Sequence, residues 1–190
     1  MEKKFFTGGI DEVGRGALAG PLVVACVAFK SYKQIPYGIK DSKSIASTTR
    51  FRLYNEIINQ AFYGISVVSA KTIDELGIEK ATENATLNSF KKVKNLLNLI
   101  LLDGNIKINT NIQYKNIIKG DCNYVSVAAA SIIAKCTRDK IMIELSKENI
   151  NYGWHTNFGY GTKEHLLALE KYGITKYHRK CYAPIKFMVK

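Results

Sequence analysis

The stretch of residues 9–21, with the sequence GIDEVGRGALAGP, constrains this chain more than any other. It places two carboxylates, Asp11 and Glu12, side by side after one apolar run and shortly before a second, residues 22–29. Two like charges this close resist joint ionisation unless a cation lies between them. The pair is therefore compatible either with a cation site or with a solvated turn between two strands.

A glycine-flanked arginine follows the acidic pair. Gly14 and Gly16 allow backbone conformations that other residues avoid and let a ligand approach closely, while Arg15 adds a fixed positive charge. Acids, bare backbone and cation together indicate a metal-dependent site for a phosphate-bearing substrate. A dinucleotide-binding loop is excluded, because that motif needs G-x-G-x-x-G spacing and a following helix, whereas a strand-like run follows here.

The adjacency of the two acids sets a condition on the strand that carries them. Neighbouring residues in a regular strand point to opposite faces. Asp11 and Glu12 can therefore serve one site only where the strand ends or distorts, and Gly14 makes such a break feasible.

Two further aspartates follow apolar runs later in the chain. The aliphatic run 99–102, typical of a strand buried on both faces, ends at Asp103, and the short run 116–118 precedes Asp121. Open α/β sheets place their sites at the carboxyl ends of strands. Each aspartate by itself is compatible with a turn or a helix N-cap. Their recurrence predicts that the acids gather at one sheet edge.

The net charge restricts the partners. The 190 residues include 28 Lys and Arg against 16 Asp and Glu, a net charge of +12. Such an excess attracts polyanions such as nucleic acid, although a compositional bias toward Lys, Asn and Ile produces the same charge. The length fits one domain, and no apolar stretch approaches the roughly 20 residues that span a bilayer. The four cysteines lack C-x-x-C pairing and are expected to be buried free thiols in a reducing cytosol: Cys26, Cys122, Cys136 and Cys181.

Hydrophobic periodicity predicts the main elements. Strands are expected at 5–10, 22–29, 64–70, 99–102 and 116–118. Helices are expected from Ser47 as N-cap, at 73–76, 81–98 and 123–147, and from Thr162 to Lys171 with Gly173 as the stop. Within the fourth of these helices, residues 135–140 are expected to form a solvated basic face, with Asp139 pairing locally with Arg138.

An aromatic, glycine-rich stretch covers residues 151–161. Exposed rings beside bare backbone suit stacking on sugars or bases. For Trp154 and Phe158, packing onto the core is an equally good interpretation. The three histidines lack the spacing of zinc ligands.

Taken together, the motifs resemble those of bacterial ribonuclease HII, over residues 9–184. The motifs that carry the resemblance are GIDEVGRG at 9–16, DSK at 41–43, LDGN at 102–105, KGD at 119–121, AASIIAK at 129–135 with RD at 138–139, GYGT at 159–162 and HR at 178–179.

The resemblance implies a ribonuclease H-like α/β fold, a five-stranded mixed sheet flanked by helices. It implies one catalytic domain over residues 1–190, in which 150–190 form a helical and aromatic segment that contacts substrate. The implied activity is divalent-metal-dependent hydrolysis, with Mg²⁺ or Mn²⁺, of the RNA strand of RNA–DNA hybrids and incision of DNA at embedded ribonucleotides. The implied enzyme is a cytoplasmic monomer with nucleic acid as its partner and no membrane association.

The resemblance also implies residue roles. Four carboxylates are the catalytic metal ligands: Asp11, Glu12, Asp103 and Asp121. The substrate contacts are the 2′-hydroxyl-sensing segment Gly14, Arg15 and Gly16, the backbone contact Lys43, and Tyr160, which packs on the sugar.

Two departures and two alternatives accompany the resemblance. Phe158 stands where many members carry lysine, and Cys181-Tyr182 replaces the usual Ser-Phe; these bear on one phosphate contact and on tail packing. A non-catalytic nucleic-acid-binding module would explain the charge and the aromatics without using the acids. A metal-dependent nuclease acting on DNA alone would use the same acids.

Overall fold

Five strands form one mixed sheet in the computed structural model, which describes residues 6–188. The strands are β1 Phe6–Val13, β2 Leu22–Phe29, β3 Ala61–Val68, β4 Leu97–Asp103 and β5 Gln113–Ile117. In the spatial order β3-β2-β1-β4-β5, β1 is antiparallel to β2 and parallel to β4; β2 and β3 are antiparallel, and β4 and β5 parallel. The predicted five-stranded mixed sheet is confirmed. Phe5, the first residue of a predicted strand, and the extreme ends of the predicted domain lie outside the described residues.

Helices cover both faces of the sheet. They are α1 Ser47–Gln60, α2 Ala70–Leu76, α3 Ile78–Phe90, α4 Gly120–Asn123, α5 Val125–Glu148, α6 Trp154–Asn157 and α7 Lys163–Tyr172. Single 3₁₀ turns cover Tyr32–Gln34, Ser42–Ser44, Lys94–Leu96, Ile150–Tyr152 and Ile185–Phe187. Strand β2 shows how the layers arise: Val24 and Cys26 pack in a cluster with α3, whereas Val23 and Ala25 pack against α1 and α5. Alternation along the strand thus feeds two separate cores.

Two helix predictions were wrong at their ends. The helix expected over 81–98 ends at Phe90, because Leu97 opens β4 and is buried there as a strand residue. Ser47 is the first residue of α1, and the N-cap position is held by Ala46 with no side-chain hydrogen bond. By contrast, Thr162 does cap α7, accepting a hydrogen bond from His165 N, and Gly173 follows its last residue.

The charges of α5 do not form the solvated face that the sequence predicts. Arg138 and Asp139 are both buried, with Arg138 fully inaccessible. The partners of Asp139 are Arg50 and Lys135, not Arg138. The sequence of α5 does not show which of its polar side chains are buried. The helix is apolar on nearly all sides, and the elements packed around it bury polar side chains as well.

The cysteine prediction holds for half of its members. All four cysteines are free; Cys26 and Cys136 are buried, but Cys122 and Cys181 are exposed. The two buried thiols belong to apolar runs, whereas the other two sit in polar surface segments. Within residues 6–188, no helix has the length and apolar character needed to cross a bilayer.

The C-terminal segment forms a third apolar cluster around Trp154, which is fully buried. Of the two interpretations for this ring, packing onto the core is therefore correct. Two buried histidines join it. Thr175 N donates to His178 Nδ1, so His178 Nε2 carries the proton that faces His165 Nε2 at 3.1 Å. The same His165 nitrogen accepts from Trp154 Nε1, which leaves His165 Nδ1 to donate to the carbonyl of Tyr160.

Helix α5 approaches β1 more closely than any side chain at Gly9 would allow. A Cβ atom at this position would stand 2.2 Å from the Ser126 carbonyl carbon and 2.3 Å from Val127 N. These are backbone atoms of the first turn of α5, so they cannot rotate away. The close contact of helix and strand therefore depends on a glycine at residue 9.

We expect Gly9→Ala to lower the free energy of unfolding by about 2–3 kcal/mol or more, because the added methyl group must push α5 off the sheet. Gly8→Ala is the matched control, since its Cβ would meet only the flexible side chains of Leu97 and Cys26, at 3.1 Å and 3.3 Å. Urea unfolding of both variants measures the difference. Equal losses at Gly8 and Gly9 would contradict the proposed closeness of α5.

Candidate active site

Four carboxylates lie at or just beyond the carboxyl ends of β1, β4 and β5. Asp11 and Glu12 are on β1, Asp103 is the last residue of β4, and Asp121 lies in α4, four residues after β5 ends. Because these three strands are parallel, their carboxyl ends meet at one edge of the sheet. The predicted gathering of the acids at one edge is therefore what the backbone produces.

The register of β1 and β4 makes Asp11 and Asp103 neighbours. Ile10 stands opposite Leu102 in this parallel pair, so the next residue on each strand is an aspartate. Ile10 and Leu102 both pack in the α3-side core. By alternation, the two aspartates that follow them share the opposite face, under α5.

The expected break in β1 at the acidic pair does not occur. β1 stays paired with β2 to Val13, with Asp11 opposite Ala25 and Glu12 opposite Val24. Asp11 therefore points to the α5 side, while Glu12 points to the α3 side. Glu12 still belongs to the common edge, because it lies past the last residue of β1 that pairs with β4, Ile10, and its charge raises the pKa of Asp11.

Burial and repulsion from neighbouring carboxylates raise the pKa of both acids of the pair. The pKa of Asp11 rises to about 7, first because the carboxylate is buried and then because Glu12 and Asp103 repel its charge; the nearby Ser131 hydroxyl acts in the opposite direction. The pKa of Glu12 is raised mainly by burial, with Asp103 adding and Arg15 opposing. Arg15 therefore offsets only part of the cost of ionising these buried carboxylates.

Asp121 and Asp103 belong to the same electrostatic group. The pKa of Asp121 is raised by burial first and then by the charges of Asp41 and Asp103. Asp103 Oδ1 accepts a hydrogen bond from Gly120 N at 2.9 Å, which ties the end of β4 to the start of α4. Asp121 does not cap this helix: it lies in the first turn, and Lys119 holds the N-cap position.

The donor set fits hard divalent cations in its chemistry. Carboxylate oxygens are the ligands that Mg²⁺ and Mn²⁺ prefer, and an unbalanced cluster of them gains most from a cation. As placed, however, no three His, Cys, Asp or Glu side chains among residues 6–188 are spaced to hold one ion together. The acids lie at one sheet edge and interact electrostatically, and their side chains have to turn toward one another before they can bind one ion.

Gly14 and Gly16 are glycines for different reasons. Gly14 has φ 93°, and a Cβ there would stand 2.2 Å from Arg138 Nε, so the fold requires it. Gly16 is exposed, and a Cβ there would meet nothing within 4 Å. No contact with the described residues explains the glycine at 16, which leaves room for a ligand to approach the backbone. Between them, Arg15 contacts Thr82 of α3 at 3.5 Å.

Lys43 lies on a segment that is tied to the acidic edge. Its backbone N–H donates a hydrogen bond to Asp41 Oδ1 at 3.0 Å, and the Lys43 side chain is exposed. The preceding Ser42 is buried and shares a hydrogen bond of 2.8 Å with Ser131, the residue whose hydroxyl lowers the pKa of Asp11. Asp41 and Asp121 both line a cleft of about 590 Å³.

Tyr160 is half-buried beside the glycine segment. Its ring lies 5.2 Å from the guanidinium carbon of Arg138, and its carbonyl accepts from His165 Nδ1 at 2.9 Å. The preceding Phe158 has φ 48°, and Lys135 Nζ stands 4.5 Å from the centre of its ring. Phe158 is thus a packed ring with a lysine over it.

Two buried arginines hold this region and were not predicted as part of it. Arg138 was assigned to a solvated face, and Arg179 was noted only within the His-Arg motif. The available signal was Arg138 itself, a permanent charge following the apolar turns of α5. Tyr182, one of the departures noted in the sequence, also helps to hold this region, because its hydroxyl donates a hydrogen bond to the Arg15 carbonyl at 2.6 Å.

Comparison with known proteins places this arrangement in context. The sequence profile of the family described as Ribonuclease HII matches residues 8–187. The chain is 45% identical to ribonuclease HII of Bacillus cytotoxicus over 186 residues, covering 97% of this chain and 71% of that protein. It is 43% identical to ribonuclease HII of Wolbachia pipientis, covering 95% of this chain and 91% of the relative.

Among solved structures, the fold is similar to that of the RNase HII in the PCNA:RNase HII complex from Archaeoglobus fulgidus. The TM-score is 0.82 at 26% identity, over 94% of this chain and 95% of the other. The likeness extends over nearly the whole of both chains.

The raised pKa of Asp11 predicts a stability effect in metal-free protein. The folded-state pKa of about 7 exceeds the usual 3.8, so the folded state binds more protons between these values and loses stability as pH rises through them. Asp11→Asn removes this charge. We expect it to raise the free energy of unfolding at pH 8 by no more than about 4 kcal/mol, and the gain to vanish near pH 4.

Urea unfolding in EDTA at pH 4, 6 and 8 measures this gain. Glu148→Gln, which neutralises an exposed carboxylate at the end of α5, is the control and should show no comparable gain. A destabilised Asp11→Asn protein at pH 8 would show that Asp11 is not under electrostatic strain.

Proposed function

The chain belongs to the ribonuclease HII family, whose members cleave the RNA strand of RNA–DNA hybrids, and from that premise we propose that its four edge carboxylates form the catalytic metal site. The observation that carries the proposal is the parallel register that makes Asp11 and Asp103 neighbours, each adding to the unbalanced charge of the edge. Such strain is characteristic of groups kept for function rather than for stability.

Divalent metal bound at this edge would activate a water and stabilise the leaving oxygen of the scissile phosphate. Asp11, which is buried, would hold the metal together with Asp103, which lies beside it on the same face. Asp121 completes the group from α4. Glu12 contributes from the opposite face of β1, around the end of the strand. We propose Mg²⁺ or Mn²⁺ as the metal.

Recognition of the ribonucleotide is proposed for the segment from Gly14 to Gly16. The 2′-hydroxyl is the group that distinguishes RNA from DNA at a given position, and it both donates and accepts hydrogen bonds. Exposed backbone at Gly16, with no protein atom in front of it, suits a close approach of the sugar. Tyr160 is proposed to pack on that sugar, and Lys43, exposed on its anchored turn, to contact the phosphate backbone.

Two further proposals concern the range of substrates and the molecule as a whole. We propose that the enzyme also incises duplex DNA at single embedded ribonucleotides. We propose further that residues 1–190 work as one catalytic unit in which 150–190 contact the substrate, acting as a monomer in the cytoplasm. The net charge of +12 supports binding to such a polyanion.

Asp103→Asn is the direct test of the carboxylate site. We expect it to reduce Mg²⁺- and Mn²⁺-dependent cleavage by at least about a thousandfold, because a neutral amide is a far weaker ligand for these ions, while hybrid binding changes little. Cleavage rates are measured on three matched duplexes: all-DNA, DNA with one ribonucleotide, and RNA–DNA hybrid. Binding is measured by fluorescence anisotropy in EDTA.

The three duplexes also separate the alternatives. Cleavage of the all-DNA duplex by the wild-type protein would favour a DNA nuclease, and binding without turnover a non-catalytic module. Asp74→Asn is the control. The Asp74 carboxylate accepts hydrogen bonds from the backbone N–H groups of Lys180 and Cys181 and is not part of the proposed metal site, so this variant should retain turnover. Parallel loss of binding and folding in Asp103→Asn would assign Asp103 a structural role.

Gly16→Ala tests the sugar-reading role of the exposed glycine. The added methyl group meets no protein atom, so we expect thermal unfolding within a few degrees of wild type. It occupies the space proposed for the sugar, so kcat/KM on a single-ribonucleotide duplex should fall about tenfold or more, equivalent to about 1.4 kcal/mol. Unchanged kinetics would remove Gly16 from the substrate site.

A further inference from the structure

Arg138 is a fully buried guanidinium whose hydrogen bonds, within residues 6–188, all go to backbone carbonyls. Its Nε donates to Pro21 O at 2.8 Å, its Nη2 to Ala19 O at 3.1 Å, and its Nη1 to Phe158 O at 2.8 Å. The first two acceptors belong to the loop between β1 and β2, and the third belongs to the loop that carries Tyr160. One side chain therefore joins two loops that are more than 130 residues apart in sequence.

Arg179 binds the first of these loops from the other side. It is also fully buried, and its Nε and Nη2 both donate to Gly20 O, at 3.2 Å and 3.0 Å. Its Nη1 donates to Arg15 O at 2.9 Å, the same carbonyl that accepts from Tyr182. The carbonyl between Gly14 and Gly16 is thus held by two donors from the C-terminal segment.

Neither guanidinium is neutralised by a carboxylate. In the described part of the chain, the ion pairs include neither Arg138 nor Arg179. Asp139, next to Arg138 in sequence, pairs with Arg50 and Lys135 instead. Burying two like charges without an anion is costly, and apolar residues of similar volume usually give a more stable core. Stability alone does not account for these two side chains.

The contacts instead fix the distance between two recognition elements. The backbone also contributes, since Gly159 O accepts from both Leu18 N and Ala19 N, at 2.8 Å and 3.1 Å. The carbonyls are spread in directions that only a planar group with five donors can satisfy at once. A lysine in the same place keeps the charge and loses the simultaneous grip.

We propose that Arg138 and Arg179 are positioning residues for ribonucleotide recognition, which set the spacing between the Gly14–Gly16 backbone and the Tyr160 ring so that one ribose fits between them. This inference rests on the proposed function, and it adds a specificity-determining pair to it. The pair matters most for a lone ribonucleotide, because a single sugar has to be found and held. An RNA–DNA hybrid offers a 2′-hydroxyl at every register, so a looser fit costs less there.

Arg138→Lys is the primary test. We expect kcat/KM to fall at least about thirtyfold on a duplex with one ribonucleotide and fivefold or less on an RNA–DNA hybrid of the same length, with Mg²⁺ in both cases. Arg179→Lys should shift the ratio of the two rates in the same direction. Tyr182→Phe, which removes one donor to Arg15 O without burying a new charge, should do so more weakly and serves if either lysine variant folds poorly.

A double-mutant cycle tests whether Arg138 acts through Tyr160. The loss caused by Arg138→Lys on the single-ribonucleotide duplex should be at least fivefold smaller in a Tyr160→Ala background than in the wild-type background, because the ring to be positioned is gone. Leu53→Ala is the matched control: it destabilises the core between α1 and α5 without touching either loop, and it should leave the ratio of the two rates unchanged.

The outcomes distinguish the two levels of the claim. Equal losses on both duplexes, independent effects in the cycle, or the same ratio shift in Leu53→Ala would overturn the positioning role and leave the proposed function intact. Failure of the wild-type protein to cleave at a lone ribonucleotide would overturn that part of the proposed function, and this inference with it.

Discussion

Electrostatic repulsion at the carboxyl edge of β1 and β4 is the constraint on which the rest of the structure depends. Burial of the Asp11 carboxylate raises its pKa to about 7, and repulsion by Glu12 and then by Asp103, which the parallel register brings next to it, adds to the rise. The edge is held together from behind by α5, which packs onto β1 with its backbone almost touching Gly9. Close packing of small residues thus stabilises an arrangement that its own charges oppose. A divalent cation would relieve the same repulsion, which links the strain to catalysis.

A second region has the opposite sign and the opposite task. Beside the acidic edge, Arg138 and Arg179 bury two positive charges that contact carbonyls rather than carboxylates. Their donors connect the loop after β1 to the loop that carries Tyr160, and the buried His165 donates to the Tyr160 carbonyl. The acids suit hydrolysis of a phosphodiester, and the arginine-held loops suit selection of the sugar beside it. The two tasks meet at Gly14, which follows the acids and contacts Arg138.

Regular patterns predicted the parts of the fold that depend on neighbours in sequence. The long apolar helix α5 and the Thr162 cap followed from apolar runs and capping chemistry, whereas the five-stranded mixed sheet was implied by the family resemblance. The errors arose where sequence neighbours were not the deciding contacts. Leu97 fits a helix by spacing but pairs with Phe6 in a parallel strand. Cys122 and Cys181 were expected to be buried thiols, but the fold places both at the surface. Asp139 was expected to pair with Arg138, but it forms an ion pair with Arg50 of α1 instead.

The sequence by itself determined the chemistry: which carboxylates end which strands, where glycine bares the backbone, and which family the chain resembles. Those features are local, so composition and spacing record them. The tertiary structure alone decided that Asp11 and Glu12 face opposite sides of an unbroken strand, and that the Arg138 guanidinium lies inside, against Pro21 and Phe158. Orientation and burial depend on residues more than a hundred positions away, and no pattern within one segment contains that information.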